Sequence, residues 1–182
     1  MASAVHAWKW ALCRLTTGAD ITLYSPFEMK ILFVCLGNIC RSPMAEAVFL
    51  HKVNASGLAH TADSAGTGNW HAGEKPDKRT LKILSSYGIE TMHRARQVTM
   101  DDFNNFDIII AMDQSNLADL QALQAAHPAA SAKLHLMREF DSAFPAEDVP
   151  DPYWSDLSGF EDVYKILDAS LEGLLTHLKA GN

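Results

Sequence analysis

The sequence predicts an α/β fold, a single domain with a four-stranded parallel sheet carrying helices on both faces. Three observations predict it. Short apolar runs alternate along the chain with segments of helical period. The runs Lys30–Val34 (KILFV) and Asp107–Met112 (DIIIAM) are nearly continuous in apolar residues, as strands covered on both faces are. The last segment places Phe160, Val163, Tyr164, Leu167, Leu171, Leu174, Leu175 and Leu178 on one 3.6-residue face.

The elements follow in order. Lys30–Val34 is the first strand. Ser42 is a suitable N-cap and Pro43 suits the first helical position, so a helix is expected from about Pro43 to Asn54. His60–Ala65 reads as the second strand. Asp77 caps a helix that stops at Gly88. Thr99 is expected to cap a short helix through Asn104. Asp107–Met112 is the third strand, and Asp113 opens a helix reaching about His127. Lys133–Met137 is the fourth strand. A proline-containing loop, Glu139–Ser158, leads into the last helix. Residues 29–182 form the expected domain. Residues 1–28 have no clear periodicity and read as an extension, either a mobile tail or a start assigned too early.

Composition narrows the function. The net charge of -7 argues against general nucleic-acid binding through a basic surface. No apolar run approaches the roughly eighteen residues of a membrane span. Three cysteines, Cys13, Cys35 and Cys40, make no disulfide framework and suit a reducing, cytoplasmic compartment where a thiol stays reactive. The histidines show no ligand spacing, so neither metal nor cofactor is expected.

The chemistry-bearing segment is Cys35-Leu36-Gly37-Asn38-Ile39-Cys40-Arg41-Ser42. It lies at the carboxyl end of the first strand, where open α/β sheets bind ligands. It feeds a helix N-terminus, whose unpaired amides and dipole favour an anion. Gly37 is expected to let the backbone turn around that anion. Arg41 offers a planar fork to two phosphate oxygens. The same field favours a thiolate, so Cys35 is expected to be a nucleophile. Ser42 is placed to donate to it, and Asn38 to brace the loop. The alternative for Cys35 is an inert buried cysteine at a strand end. The ending lacks the Lys-Ser/Thr of a nucleotide-binding loop, and Gly66-Thr67-Gly68 does not complete a dinucleotide fingerprint.

Transfer of a phosphoryl group from oxygen needs a proton for the leaving group. Asp151 lies between Pro150 and Pro152, which fix its backbone, and Tyr153 and Trp154 follow as walls for an aromatic ring. The competing reading of Asp151 is a turn residue. Glu139 to Tyr164 holds eight acidic residues and no Lys or Arg. Within it, Asp148 and Asp156 are expected to favour the protonated form of Asp151 by like charge.

The segment ILFVCLGNICRSPMAEAVF resembles the low-molecular-weight protein tyrosine phosphatase family. So do Asp63-Ser64-Ala65-Gly66-Thr67, Ala111-Met112-Asp113 and Asp151-Pro152-Tyr153. The likeness is colinear from about Met29 to the C-terminus. It implies a four-stranded parallel sheet and hydrolysis of protein phosphotyrosine through a phosphocysteine on Cys35. It implies that Arg41 and the loop from Leu36 to Ser42 (Gly37, Asn38, Ile39 and Cys40 included) hold phosphate, and that Asp151 acts as acid and then base. His93 matches a loop-bracing position, Trp70 a residue of the substrate cleft, and Asp113 a supporting position beside the site. Cys40 matches a cysteine that can form a reversible disulfide with the nucleophile; as a plain residue it is equally a small apolar filler. The expected partners are phosphotyrosine-containing proteins, with the enzyme a monomer or weak dimer. Some members act on phosphoarginine, an activity that Ile39 leaves open. An arsenate reductase of this fold would need further cysteines, and none follows Cys40. A catalytically dead phosphotyrosine-binding module would lack the Cys, Arg or acid.

Overall fold

A computed structural model describes residues 28–180. The expected extension therefore lies outside the described residues, apart from Glu28. Four parallel strands form one sheet in the order β2-β1-β3-β4. They are β1 (Lys30–Cys35), β2 (Thr61–Gly66), β3 (Ile108–Ala111) and β4 (Lys133–Leu136). The helices are α1 (Arg41–Ser56), α2 (Lys78–Ser86), α3 (Asp102–Asn105), α4 (Gln114–Ala125) and α5 (Leu157–Lys179). A single turn of 3-10 helix, Met137–Phe140, follows β4.

The strand pleat divides the core. Ile31 and Phe33 of β1 and Ile108 and Ile110 of β3 face one side. They pack there with Met44 and Phe49 of α1 and Leu167 and Leu171 of α5. Leu32, Val34, Ile109 and Ala111 face the other side, against Phe103 and Leu120. Adjacent residues of one strand thus feed opposite cores, which is why the strands read as unbroken apolar runs.

The order of the strands positions the site. The chain steps from β1 to β2 on one flank, then crosses to β3 on the other. The carboxyl end of β1 is therefore the switch point, where the loops after β1 and β3 diverge and leave a crevice. Cys35 is the last residue of β1.

Several local expectations are corrected. The N-cap of α1 is Cys40 rather than Ser42, and Pro43 falls in the first turn rather than at the first position. Ser42 is drawn inside because its hydroxyl has buried partners in the loop and β2. Gly37 is not the residue with positive φ; Asn38 is, at 54°. Gly37 matters through contact instead, since a Cβ there would sit 3.3 Å from the His71 ring. The residue before α3 is Asp101 rather than Thr99. Thr99 donates its N–H and hydroxyl to the Asp102 carboxylate, at 2.7 and 3.1 Å. Asp77 does cap α2, accepting from Arg79 N, and Gly88 takes the left-handed conformation just past its end.

Candidate active site

The Cys35 loop joins β1 to α1 and floors a cleft of about 300 Å³. The first turn of α1 opens at Arg41 on the cleft wall, so its amides without intrahelical partners and its positive dipole end lie at the floor. Cys35 Sγ accepts from Asn38 N at 3.2 Å and lies 3.1 Å from Ser42 Oγ. Ser42 Oγ accepts from Asn38 Nδ2 at 2.9 Å, which leaves its single proton for Cys35 Sγ or for the Ala65 carbonyl at 3.3 Å.

Asn38 is fully buried and uses every polar group of its side chain. Its Nδ2 donates to Ser42 and Ser64 hydroxyls, both at 2.9 Å. Its Oδ1 accepts from Arg96 N at 2.8 Å and lies 3.0 Å from His93 Nε2. On the other ring nitrogen, His93 pairs with Glu46 at 3.0 Å, and Glu46 accepts from Ser64 at 2.7 Å. These contacts hold Asn38 in its left-handed conformation, which a short amide side chain tolerates. Gly66 belongs to the same brace: a Cβ there would meet the Leu36 carbonyl at 2.7 Å.

Arg41 is buried under the loop and reaches three oxygens. They are Asp113 Oδ2 at 2.5 Å, the Val149 carbonyl at 3.1 Å and Asp151 Oδ2 at 3.4 Å. Burial works against its charge, yet Cys35, Asp113 and Asp151 hold its pKa above the ordinary guanidinium value. Asp113 serves two ends, because its Oδ1 also caps α4 by accepting from Asn116 N at 2.7 Å.

Asp151 lies on the opposite wall, its side chain about half exposed. Its Oδ1 accepts from Tyr153 N at 3.2 Å. Asp148 accepts from Gln114 N at 2.9 Å, and Asp156 caps α5 by accepting from Ser158 N at 3.0 Å. The charged group in hydrogen-bond contact with Asp151 is the Arg41 guanidinium.

Trp70, Tyr153 and Trp154 rim the cleft with Leu36, and Trp154 is almost wholly exposed. Tyr153 and Trp154 meet edge to face, with ring centroids 4.9 Å apart. Ile39 also lines the cleft. Cys40 is buried beside it as a free thiol, and its pKa is pushed up to about 12. Burial is the main cause, followed by the nearby Asp77, Cys35 and Asp151.

The site holds residues to which the sequence reading gave no role, although Glu46 and Ser64 lie in the family-like segments. Glu46, Ser64 and Arg96 brace Asn38, and His71 lies over Gly37 with its Nδ1 2.8 Å from Glu74. Glu46, Asp63 and His93 also bring metal-ligand atoms within 4.8 Å of one another, a grouping the histidine spacing did not reveal. In the structure these groups are already engaged, Glu46 with the His93 ring at 3.0 Å and Asp63 in an ion pair with Arg96 at 2.8 Å.

A thiol at a helix N-terminus, a buried arginine and a facing carboxylic acid define a cysteine-dependent phosphatase. The chain belongs to the family of low molecular weight phosphotyrosine protein phosphatases, whose pattern its residues 30–182 match. A low molecular weight phosphotyrosine protein phosphatase of Schizosaccharomyces pombe is 48% identical over 140 residues, covering 75% of this chain and 88% of that one. A protein tyrosine phosphatase structure from Entamoeba histolytica superposes with a TM-score of 0.77 at 39% identity, covering 85% of this chain and 99% of that one. A Drosophila arginine phosphatase superposes with a TM-score of 0.80 at 38% identity, covering 83% and 98%. No helix among the described residues is long and apolar enough to cross a membrane.

Proposed function

We propose that this enzyme hydrolyses protein phosphotyrosine and small aryl phosphates through a phosphocysteine. One observation carries the reading. Cys35 Sγ sits on the cleft floor within 3.2 Å of Asn38 N and Ser42 Oγ, and Asp151 stands on the wall beside Arg41.

In the first half, Cys35 Sγ attacks phosphorus, the phosphorus–oxygen bond to the phenol breaks, and Asp151 gives its proton to the departing oxygen. The amides of the loop from Leu36 to Ser42 and the Arg41 guanidinium take the charge of the transferring phosphoryl oxygens. In the second half, water attacks phosphorus, the sulfur–phosphorus bond breaks, and Asp151 takes the proton of the water. Asn38, Ser42 and His93 hold the loop in shape. Trp70, Tyr153 and Trp154 flank the substrate ring. Cys40 is the partner of Cys35 in a reversible disulfide, with the enzyme acting in the cytoplasm as a monomer or weak dimer.

Turnover of p-nitrophenyl phosphate without added metal tests the reading. Cys35→Ser should abolish it. Asp151→Ala should slow phenyl phosphate far more than p-nitrophenyl phosphate, because the more acidic phenol leaves with less protonation. Equal losses on the two esters would refute the role of Asp151. A second reading, phosphoarginine hydrolysis, draws support from the structural likeness to the Drosophila arginine phosphatase. Comparing phosphoarginine with phosphotyrosine as substrates decides between them.

A further inference from the structure

The loop carrying Asp151 is pinned on both sides of that residue. Upstream, Val149 is buried; its N–H donates to the Met112 carbonyl at 2.8 Å and its carbonyl accepts from Arg41 at 3.1 Å. Downstream, the pin is Arg79 of α2. Its Nη1 donates to the Tyr153 carbonyl at 3.1 Å and to the Ser155 carbonyl at 2.8 Å.

Arg79 is itself held from behind. Its Nε and Nη2 donate to the two oxygens of Asp77, at 2.9 and 2.8 Å, a fork-to-fork pair that fixes the guanidinium plane. The Asp77 N–H in turn donates to the Ile39 carbonyl in the Cys35 loop at 2.8 Å. The guanidinium also lies 4.4 Å over the Phe160 ring, which limits its swing. A continuous chain of contacts therefore runs from Ile39 through Asp77 and Arg79 to Tyr153 and Ser155. It ties the loop bearing the nucleophile to the loop bearing the acid.

We infer that Arg79 is a positioning residue, which sets the reach of Asp151 toward the leaving oxygen by latching the acid loop to the Cys35 loop. The inference rests on the reading of Asp151 as the general acid. Arg79 touches no reacting atom in this account. Its position explains how a half-exposed aspartate on a long loop keeps the sub-ångström placement that proton transfer needs. Lysine would not replace it, because a point charge cannot span two carbonyls and a carboxylate in one plane.

The test compares Arg79→Ala, Asp151→Ala and the double variant in the full chain, with phenyl phosphate and p-nitrophenyl phosphate. Arg79→Ala should lower kcat/KM for phenyl phosphate by about tenfold more than for p-nitrophenyl phosphate, part of the range general acids supply. Inhibition by inorganic phosphate should stay within about twofold, since the phosphate cradle is untouched. The double variant should be no slower on phenyl phosphate than Asp151→Ala alone, because Arg79 acts only through that residue. Arg79→Lys should behave like Arg79→Ala, and it carries the test if the alanine variant does not fold. Equal losses on the two esters, or losses that add in the double variant, would overturn the latch. If Asp151→Ala favours the better leaving group while Arg79→Ala does not, the latch fails and the acid stands. If Asp151→Ala itself shows no preference, the acid assignment fails.

Discussion

Arg41 and Asp113 meet at 2.5 Å beneath the Cys35 loop, and Asp113 spends its other oxygen on the first turn of α4. The pair joins the loop after β1 to the loop after β3 across the switch point of the sheet. Asp113→Asn keeps the cap but removes the charge that opposes Arg41. Leaving one member of a buried ion pair costs about 3–5 kcal/mol when nothing replaces it, and the amide recovers part of this. The expected result is a Tm lower by several degrees, with the inhibition constant for inorganic phosphate raised about tenfold as Arg41 loses its alignment. Thermal unfolding and phosphate inhibition measured on one preparation check both.

Asn38→Ala should be more damaging than its size indicates. It takes the acceptor from the Arg96 N–H and from His93 Nε2, and a donor from the Ser42 and Ser64 hydroxyls, which keep their contacts to Cys35 and Glu46. Each buried group left without a partner costs about 1–3 kcal/mol. The substitution also puts a residue less tolerant of positive φ at 54°. The expected outcome is a loss of at least about 2 kcal/mol in denaturant stability. A fall in turnover should accompany it, as Cys35 loses the aligned Asn38 N and Ser42 Oγ. Asn38→Asp, which keeps the shape and the acceptor but loses the donor, should fall between.

The sheet was legible because its evidence is local. ILFV and IIIA are buried on both faces, and no other element gives a run so short and so apolar. The long stripe from Phe160 to Leu178 repeats often enough to fix a helix and its buried face. Cys35, Arg41 and Asp151 could be grouped from the sequence because a thiol six residues before an arginine at a strand end calls for an acid elsewhere, and the three line one cleft. The brace was not, because Glu46, Ser64 and Arg96 come from α1, β2 and a distant loop, and a single Ser or Glu has no period. The hydrogen bonds of Asp148 and Asp156 to helix amides were not legible for the same reason as the brace, since the amide that Asp148 meets, Gln114 N, is far away in sequence. Asn38 braces the loop as expected but also takes the positive φ expected of Gly37, since a buried network can hold an Asn where a free loop would need Gly.

Cys40 should resist alkylation while remaining available to Cys35. Its pKa of about 12 leaves it a thiol at neutral pH, so iodoacetamide at pH 7 should leave it unmodified in peptide mass mapping. Peroxide should convert Cys35 to a sulfenic acid, which condenses with the Cys40 thiol to a disulfide and water. Conversion of Cys35 to a neutral sulfenic acid removes one of the charges that raise the Cys40 pKa. With peroxide in excess the untrapped sulfenic acid of Cys40→Ser is oxidised on to a sulfinic acid, so dithiothreitol should restore most activity to the wild type and little to Cys40→Ser. Equal recovery in the two proteins would sink the disulfide.

His60 gives the fold a sensitivity to mild acid. It is buried, accepts from Met29 N at Nδ1, and its Nε2 meets no acceptor among the described residues. Burial lowers its pKa below the ordinary 6.5, with Glu28 acting in the opposite direction. The folded state therefore protonates less readily than the unfolded chain. This contribution to stability is complete above the unfolded pKa and is lost as pH falls from about 6.5 toward the folded value. Within that window the unfolded state binds up to one more proton, so stability should fall by at most about 1.4 kcal/mol per pH unit from this residue. His60→Asn keeps an acceptor for Met29 N but does not titrate. Urea unfolding between pH 5 and 8 should give a shallower acid slope for the variant, by up to one proton. An unchanged slope would place the acid sensitivity elsewhere.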